Sequence, residues 1–191
     1  MDNYRGAMGL NSATSEYNQL DFIVRQIVSP LATATLAQIV AVYPARQAVD
    51  IHPMVAQIDG RGQPTPHGVV HNVPYLTLQG GGNAVLIAPA VGDIGIAVFA
   101  SRDISSVKAT RKSSNPGTRR RFDMADALYI GGVLNAAPTQ YVKLAADGIT
   151  LHSATAVKLD APSVTITAPT VSITGALVVS GTVTAHGFIT V

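Results

Sequence analysis

More than half of the positive charge in this chain lies in one segment. Lysine and arginine total 13 in the 191-residue sequence. Seven of them lie close together: Arg102, Lys108, Arg111, Lys112, Arg119, Arg120 and Arg121. Such a cluster can bind phosphate or carboxylate groups. Binding of single-stranded nucleic acid would also require aromatic side chains between the cations, on which bases stack. The chain has no Trp, and this cluster contains no aromatic residue before Phe122. A solvated loop or a docking surface for an acidic partner is therefore favoured.

The five histidines do not form a recognisable metal motif. His52, His67 and His71 fall in one region, but a zinc site would need a further clear ligand. His67 and His71 are four apart in a strand or loop context, where that spacing does not bring two side chains together. His152 alternates with Leu151, which predicts an outward-facing position on a strand. We therefore expect no metal site at His52, His67 and His71.

Several features argue against catalysis. The chain has no Cys, and no Ser lies in a G-x-S-x-G turn. Glu16 is the only Glu and falls in a predicted helix. The glycine-rich stretches QGGGN and GRG are not followed by Lys-Ser or Lys-Thr, so hairpin turns explain them better than phosphate binding. We expect a protein that is not an enzyme.

Two periodicities place these residues on secondary structure. Residues 15–31 carry apolar side chains three or four apart, which predicts an amphipathic helix that Ser15 caps and Pro30 ends. From Thr33 onward, apolar residues alternate in about five short runs separated by turn sequences, which is typical of a small antiparallel, OB-like barrel. The basic segment is predicted to be a polar loop, and FDMADALYIGGVL a helical turn followed by a strand.

The C-terminal segment is a short repeat. From Pro162 to Val191 it contains no Asp, Glu, Lys or Arg. Val and Ile would lie on one face of each strand, and Thr and Ser on the other. Strands this short cannot bury a core within one chain, so we expect identical chains, most simply three, to wind into an intertwined β-helix or β-prism. The predicted strands begin at Val142, Ile149, Val157, Val164, Val171, Leu177 and Val183.

Together these patterns predict a mainly β protein with three segments. Residues 1–32 would form an N-terminal arm and helix, residues 33–138 an OB-like antiparallel barrel, and residues 139–191 a trimeric β-helix with a tip. Only 13% of the residues are charged, which favours an oligomer that buries much of each chain. No run of about 20 apolar residues predicts a transmembrane helix.

This combination resembles the central spike protein of contractile phage tails, of the baseplate assembly protein V type. Three stretches carry the resemblance: Pro53–Ile104, which contains VGDIGIAVFASRDI; Arg119–Val133, which contains FDMADALYI; and the C-terminal repeat. The resemblance implies a homotrimer in the tail baseplate of a virion, assembled in the host cytoplasm. Its barrels would sit on a hub protein at the end of the tail tube, with the basic loop as a docking surface. Its β-helix would pierce the host outer membrane when the sheath contracts.

The predicted tip departs from this family's pattern. Many members carry His-x-His there, and three chains then supply six imidazoles for iron. Here the positions two residues either side of His186 are Thr184 and Phe188. Three copies of His186 can still converge on the threefold axis and bind one ion, iron or another. Otherwise a separate tip protein caps the spike, or the apex closes by apolar packing of Phe188, Ile189 and Val191.

Two other functions stay open at this point. A trimeric receptor-binding fibre or adhesin-like protein should expose aromatic residues near its free end, where this chain has only Phe188. An OB-fold nucleic-acid-binding protein with an oligomerisation tail should bind single strands in a salt-sensitive manner. The sequence favours the membrane-piercing spike over both.

Overall fold

The computed structural model describes residues 15–59 and 62–187. The chain divides into two compact units, Met1–Ala137 and Pro138–Val191. The described part of the first unit contains helices α1 (Glu16–Val28) and α2 (Ser105–Thr110). Its strands are β1 (Ala34–Tyr43), β2 (Ala48–Pro53), β3 (Gln57–Ile58), β4 (Pro64–Thr65), β5 (Val70–Pro74), β6 (Leu78–Gly80), β7 (Asn83–Val85), β8 (Ile94–Phe99) and β9 (Ala127–Gly131). The second unit contains β10 (Tyr141–Ala145) and β11 (Gly148–His152).

The predicted N-terminal helix is confirmed, including its cap. The Ser15 hydroxyl accepts a hydrogen bond from the backbone N–H of Asn18 at 3.2 Å, which satisfies one of the free donors of the first turn. The helix ends at Val28, two residues before Pro30. No residue of α1 is buried, and Leu20 and Ile27 are largely exposed. Its apolar face therefore has no partner in the described chain.

The first unit is built on one curled antiparallel sheet that forms a half-barrel. Its five strands lie in the order β5-β2-β1-β8-β9, and every pair is antiparallel. The pairing of β1 with β2 shifts between Ile39 and Ala41, and such bulges increase the bend of a strand. A hydrogen bond from the N–H of Leu76 to the carbonyl of Tyr129, at 2.9 Å, links the two ends of the sheet. The predicted mainly β class is therefore confirmed, and the predicted OB-like barrel is observed as a half-barrel.

The core is formed by one face of this sheet. β1 and β8 alternate buried with less buried residues, as expected for strands with one face inward. Small side chains such as Ala37 and Ala97 lie among larger ones and let them pack closely. The buried apolar residues that pack into one cluster are Ala37, Ile39, Val49, Ile51, Val73, Ala97, Phe99, Ala127 and Tyr129.

The interior strand β8 contains a glycine that the packing requires. A Cβ built on Gly95 would lie 2.6 Å from Cζ of Tyr129 and would also collide with the carbonyl oxygen of Ile130. Tyr129 is 2% exposed, and its hydroxyl donates to the carbonyl oxygen of Asp93 at 3.3 Å. The absence of a side chain at position 95 therefore makes room for the aromatic ring on the neighbouring strand.

Two further hairpins leave this sheet. β3 pairs with β4, and β6 pairs with β7 across the predicted QGGGN turn. The apolar side chains on the second hairpin, Leu78 and Val85, are both more than half exposed. The apolar run AVLIAP (84–89), one of the alternating runs of the sequence, is therefore strand only up to Val85, in an exposed hairpin and not in the five-stranded sheet.

The second unit contains one hairpin in the described residues. β10 and β11 pair from Tyr141 opposite His152 to Ala145 opposite Gly148, which matches the first two repeat units. The rings of Tyr141 and His152 stack with centroids 5.0 Å apart. From 153 to 187 the single chain contains no strand, and the later repeat units carry exposed apolar side chains. The single chain therefore does not show the β-helix predicted for this segment.

Among the residues that the model describes, no helix is both long enough and apolar enough to cross a membrane.

Candidate functional site

The basic segment connects the neighbouring strands β8 and β9, and an ion-pair network anchors it. The guanidinium of Arg120 donates from Nε to Oδ2 of Asp126 at 2.7 Å and from Nη2 to Oδ1 of Asp126 at 2.9 Å. The same Nη2 donates to Oδ1 of Asp103 at 2.8 Å. Both carboxylates are buried, whereas the Arg120 side chain is about a third exposed. Bidentate pairing of this kind is among the strongest hydrogen bonding available to side chains.

Local structure places the two aspartates where Arg120 can reach both. Asp103 follows β8 and accepts a hydrogen bond from the N–H of Ser105 at 2.8 Å, at the start of α2. Asp126 ends a 3-10 turn, Met124–Asp126, that leads directly into β9. Asp126 also accepts the N–H of Ile104 at 3.0 Å. The loop is therefore bonded to the sheet at both of its ends.

These contacts favour the charged forms of all three side chains. Hydrogen bonds from Ser105, together with the nearby Arg120 charge, lower the pKa of Asp103 to about 2 despite its burial. The hydrogen bonds from Arg120 are the main cause of the lowered pKa of Asp126. Asp126 in turn raises the pKa of Arg120. The network is thus ionised throughout the neutral range.

The seven basic residues consequently have different environments. Arg120 is turned inward, and Lys108 donates from Nζ to the carbonyl oxygen of Asn72 at 2.7 Å. Burial lowers the pKa of Lys108. The remaining five cations are exposed: Arg102, Arg111, Lys112, Arg119 and Arg121. The predicted polar loop also contains the short helix α2, which the sequence pattern did not indicate.

Three of the exposed arginines surround a shallow depression. Arg102, Arg119 and Arg121 line it together with Pro116 and Thr118, and its volume is about 440 Å³. Burial alternates from Arg119 through Asp126, with exposed residues at odd positions. This alternation turns Arg119 and Arg121 outward while Arg120 points into the network.

A second polar network lies at β2. The buried carboxylate of Asp50 accepts from Nδ1 of His71 at 2.7 Å, from the Tyr43 hydroxyl at 3.1 Å and from the N–H of Asn72 at 2.8 Å. Burial alone would raise the pKa of Asp50, but the hydrogen bonds from Asn72, His71 and Tyr43 together lower it. His71 is therefore a carboxylate partner rather than one of several converging ligands. No group of three or more His, Cys, Asp or Glu side chains that could hold a metal ion occurs in residues 15–59 and 62–187.

The predicted tip is only partly within the described chain. His186 lies in an exposed bend near its end. Phe188, Ile189 and Val191 lie outside the described residues. An axial ion would require three copies of His186, so that site stays a prediction.

Sequence reasoning missed the acidic half of the basic site. Asp103 and Asp126 border the cationic segment in the sequence, but isolated aspartates next to loops are common, and spacing alone does not show that they are buried. The triplet Arg119-Arg120-Arg121 is the sequence feature that could have indicated a buried acidic partner. In an extended segment the middle residue points opposite to its neighbours, so when the two flanking arginines face solvent the middle one faces the protein and needs an anion there.

These observations define a mainly β protein whose antiparallel half-barrel carries a rigid, basic surface loop. The chain belongs to the family of the phage protein Gp138 N-terminal domain, whose model matches residues 36–132. That span is about half of the 191 residues and runs from within β1 to just past β9. The match supports a structural role in a phage and a virion-associated location, which confirms the predicted resemblance at that level. A comparison with curated proteins found no match.

Proposed function

We propose that this chain is a trimeric, non-enzymatic spike of a contractile phage tail that pierces the host outer membrane when the sheath contracts. The half-barrel would attach the trimer to the hub protein at the end of the tail tube. The C-terminal segment of three chains would form the rod that makes transient contact with the membrane. The family match at residues 36–132 supports the phage structural part of this proposal.

The observation that carries the proposal is the exposure of the repeat in a single chain. Val164, Ile166, Val171 and Ile173 are each 55–68% exposed, although they recur at the spacing expected for one face of short strands. Burying apolar surface contributes roughly 25 cal/mol per Å², so this row of side chains strongly favours association. Three identical chains would bury these faces against one another and pair the free strand edges.

The chemistry of the segment suits mechanical work. Residues 162–191 carry no Asp, Glu, Lys or Arg, so the distal part of the rod avoids the cost of moving charges into a bilayer. A rod held by hydrogen bonds between chains can transmit force without any bond being made or broken. In this proposal the tip is closed by its own residues, by an ion on the axis at His186 or by a separate tip protein.

Light scattering on the full chain tests the proposal directly. We expect a mass near three times 19.8 kDa at neutral pH, and we expect the trimer to survive SDS without boiling because interwound chains separate slowly. A monomer in solution would contradict the spike proposal. A trimer that dissociates at once in unboiled SDS would contradict an interwound rod.

A further inference from the structure

The outward-facing arginines of the β8–β9 loop have no anionic partner within the described chain. Arg102, Arg119 and Arg121 are exposed, and no Asp or Glu of residues 15–59 or 62–187 forms an ion pair with any of them. They nevertheless share one depression of about 440 Å³. Like charges gathered around a concavity repel each other, so a bound anion would stabilise the arrangement.

The ion-pair network holds this arrangement before any ligand arrives. Arg120 lies between Arg119 and Arg121 in the sequence, and its guanidinium is bound to Asp126 and Asp103. Asp103 in turn follows Arg102 directly. Arg120 and Asp103 are thus fixed by ion pairs. The arginines next to them in the sequence, Arg102, Arg119 and Arg121, are therefore directed to the same outer surface. Preorganisation of this kind lowers the entropic cost of binding.

We infer that this depression binds a carboxylate-rich segment of a partner protein, with Arg102, Arg119 and Arg121 as its anion-binding residues. The planar guanidinium matches a carboxylate through two parallel hydrogen bonds. The lining contains only Arg, Pro and Thr, so it offers no aromatic surface on which nucleic-acid bases could stack. The inference rests on the proposed function in one respect only: the partner protein is then a neighbouring component of the phage tail.

The sequence supplies a matched control within the same loop. Arg111 and Lys112 are also exposed, but neither lines the depression. R102E/R121E and R111E/K112E change the net charge by the same amount. If binding depends only on long-range electrostatics, both variants should weaken it equally. If it depends on a defined site, only R102E/R121E should weaken it.

The experiment measures binding of a fluorescein-labelled octaglutamate peptide to the full chain by fluorescence anisotropy at low salt. We expect R102E/R121E to weaken binding by about tenfold or more and R111E/K112E by less than about threefold. Equal weakening by both variants would overturn the site, and so would tighter binding of a labelled oligothymidylate through the same arginines. Circular dichroism checks that each variant is folded.

A charge-conserving variant tests the geometry separately. R102K/R121K keeps the net charge but loses the planar fork, so we expect weaker octaglutamate binding than for the unmodified chain. Undiminished binding by this variant would overturn the assignment to guanidinium–carboxylate pairing. Light scattering on the same samples separates the two proposals, because a monomeric chain that binds octaglutamate would contradict the spike and leave the anion site supported.

Discussion

Arg120 and Asp126 form a two-point ion pair, with Nε to Oδ2 at 2.7 Å and Nη2 to Oδ1 at 2.9 Å. The pair joins the C-terminal part of the basic surface loop to the turn that leads into β9. Because Asp126 is 1% exposed, it depends on Arg120 and on the N–H of Ile104 for compensation of its charge. Arg120 is thus a structural member of the cluster of seven basic residues, and Arg119 and Arg121 on either side of it are free to bind a ligand.

Replacing Arg120 should destabilise the half-barrel. Arg120→Met leaves the buried carboxylates of Asp103 and Asp126 without their cation, and an unpaired buried charge is costly. We expect the melting temperature to fall by more than about 5 °C. Arg121→Met removes an exposed cation next to it and should change the melting temperature by less than about 2 °C. Equal melting temperatures for the two variants would show that the ion pair has no structural role.

The same network should make the protein sensitive to acid. The pKa of Asp103 is lowered from 3.8 to about 2, and the pKa of Asp126 is also lowered. A lowered folded-state pKa stabilises the protein above the unfolded-state value, and this stabilisation is lost as pH falls through the folded-state pKa. We therefore expect the urea midpoint, followed by circular dichroism, to be constant above about pH 5 and to fall between about pH 4 and pH 2.

The variant Arg120→Met provides the control for this titration. Without the guanidinium the pKa of Asp126 should rise toward its ordinary value, so less stability remains to be lost in acid. Its urea midpoint should depend less steeply on pH than that of the unmodified chain. Parallel pH profiles for the two proteins would assign the acid sensitivity to other carboxylates.

A methyl group at position 95 should disturb the pairing of β8 with β9. Gly95→Ala places a carbon 2.6 Å from Cζ of Tyr129, and overpacking of a core costs about 1–3 kcal/mol. Gly82→Ala adds the same methyl group where no atom lies within 4 Å, and it should change the free energy of unfolding by less than about 0.5 kcal/mol. Urea unfolding at a fixed protein concentration compares the two. Equal stability would mean that both the Tyr129 ring and the backbone at Ile130 can move aside at no cost.

Two adjacent positions of the repeat should differ sharply in their effect on assembly. Ile173→Asp would place one carboxylate per chain in the proposed dry core, where an unpaired charge costs several kcal/mol. Ser172→Asp adds the same charge to the proposed outer face. We expect the first variant to lose the trimer in light scattering and the second to keep it. If Ile173→Asp stayed trimeric, the core of the assembly would lie elsewhere.

The local elements of this chain follow from short-range patterns in its sequence. Helix α1 begins after Ser15 because that hydroxyl caps the first turn, and apolar residues three or four apart continue it. The strands from Ala34 to Phe99 follow from alternation, since a pleated strand directs successive side chains to opposite faces. Helix α2 lacks such a pattern: it is six residues long, its N-cap residue Ile104 makes no side-chain cap hydrogen bond, and it buries no residue. The Asp103 carboxylate instead accepts the N–H of Ser105 in its first turn.

Amino-acid types and spacing were therefore enough to predict the mainly β class, the N-terminal helix and a C-terminal repeat that one chain cannot bury. The tertiary structure decided which member of the arginine triplet faces the protein, that Asp50 joins His71 and Tyr43, and that Gly95 makes room for Tyr129. The physical reason is distance along the chain. Periodicity depends on residues a few positions apart, whereas Asp103 and Arg120 are 17 residues apart and Asp50 and His71 are 21 apart. Gly95 and Tyr129 lie on two different strands, and only strand pairing brings them together.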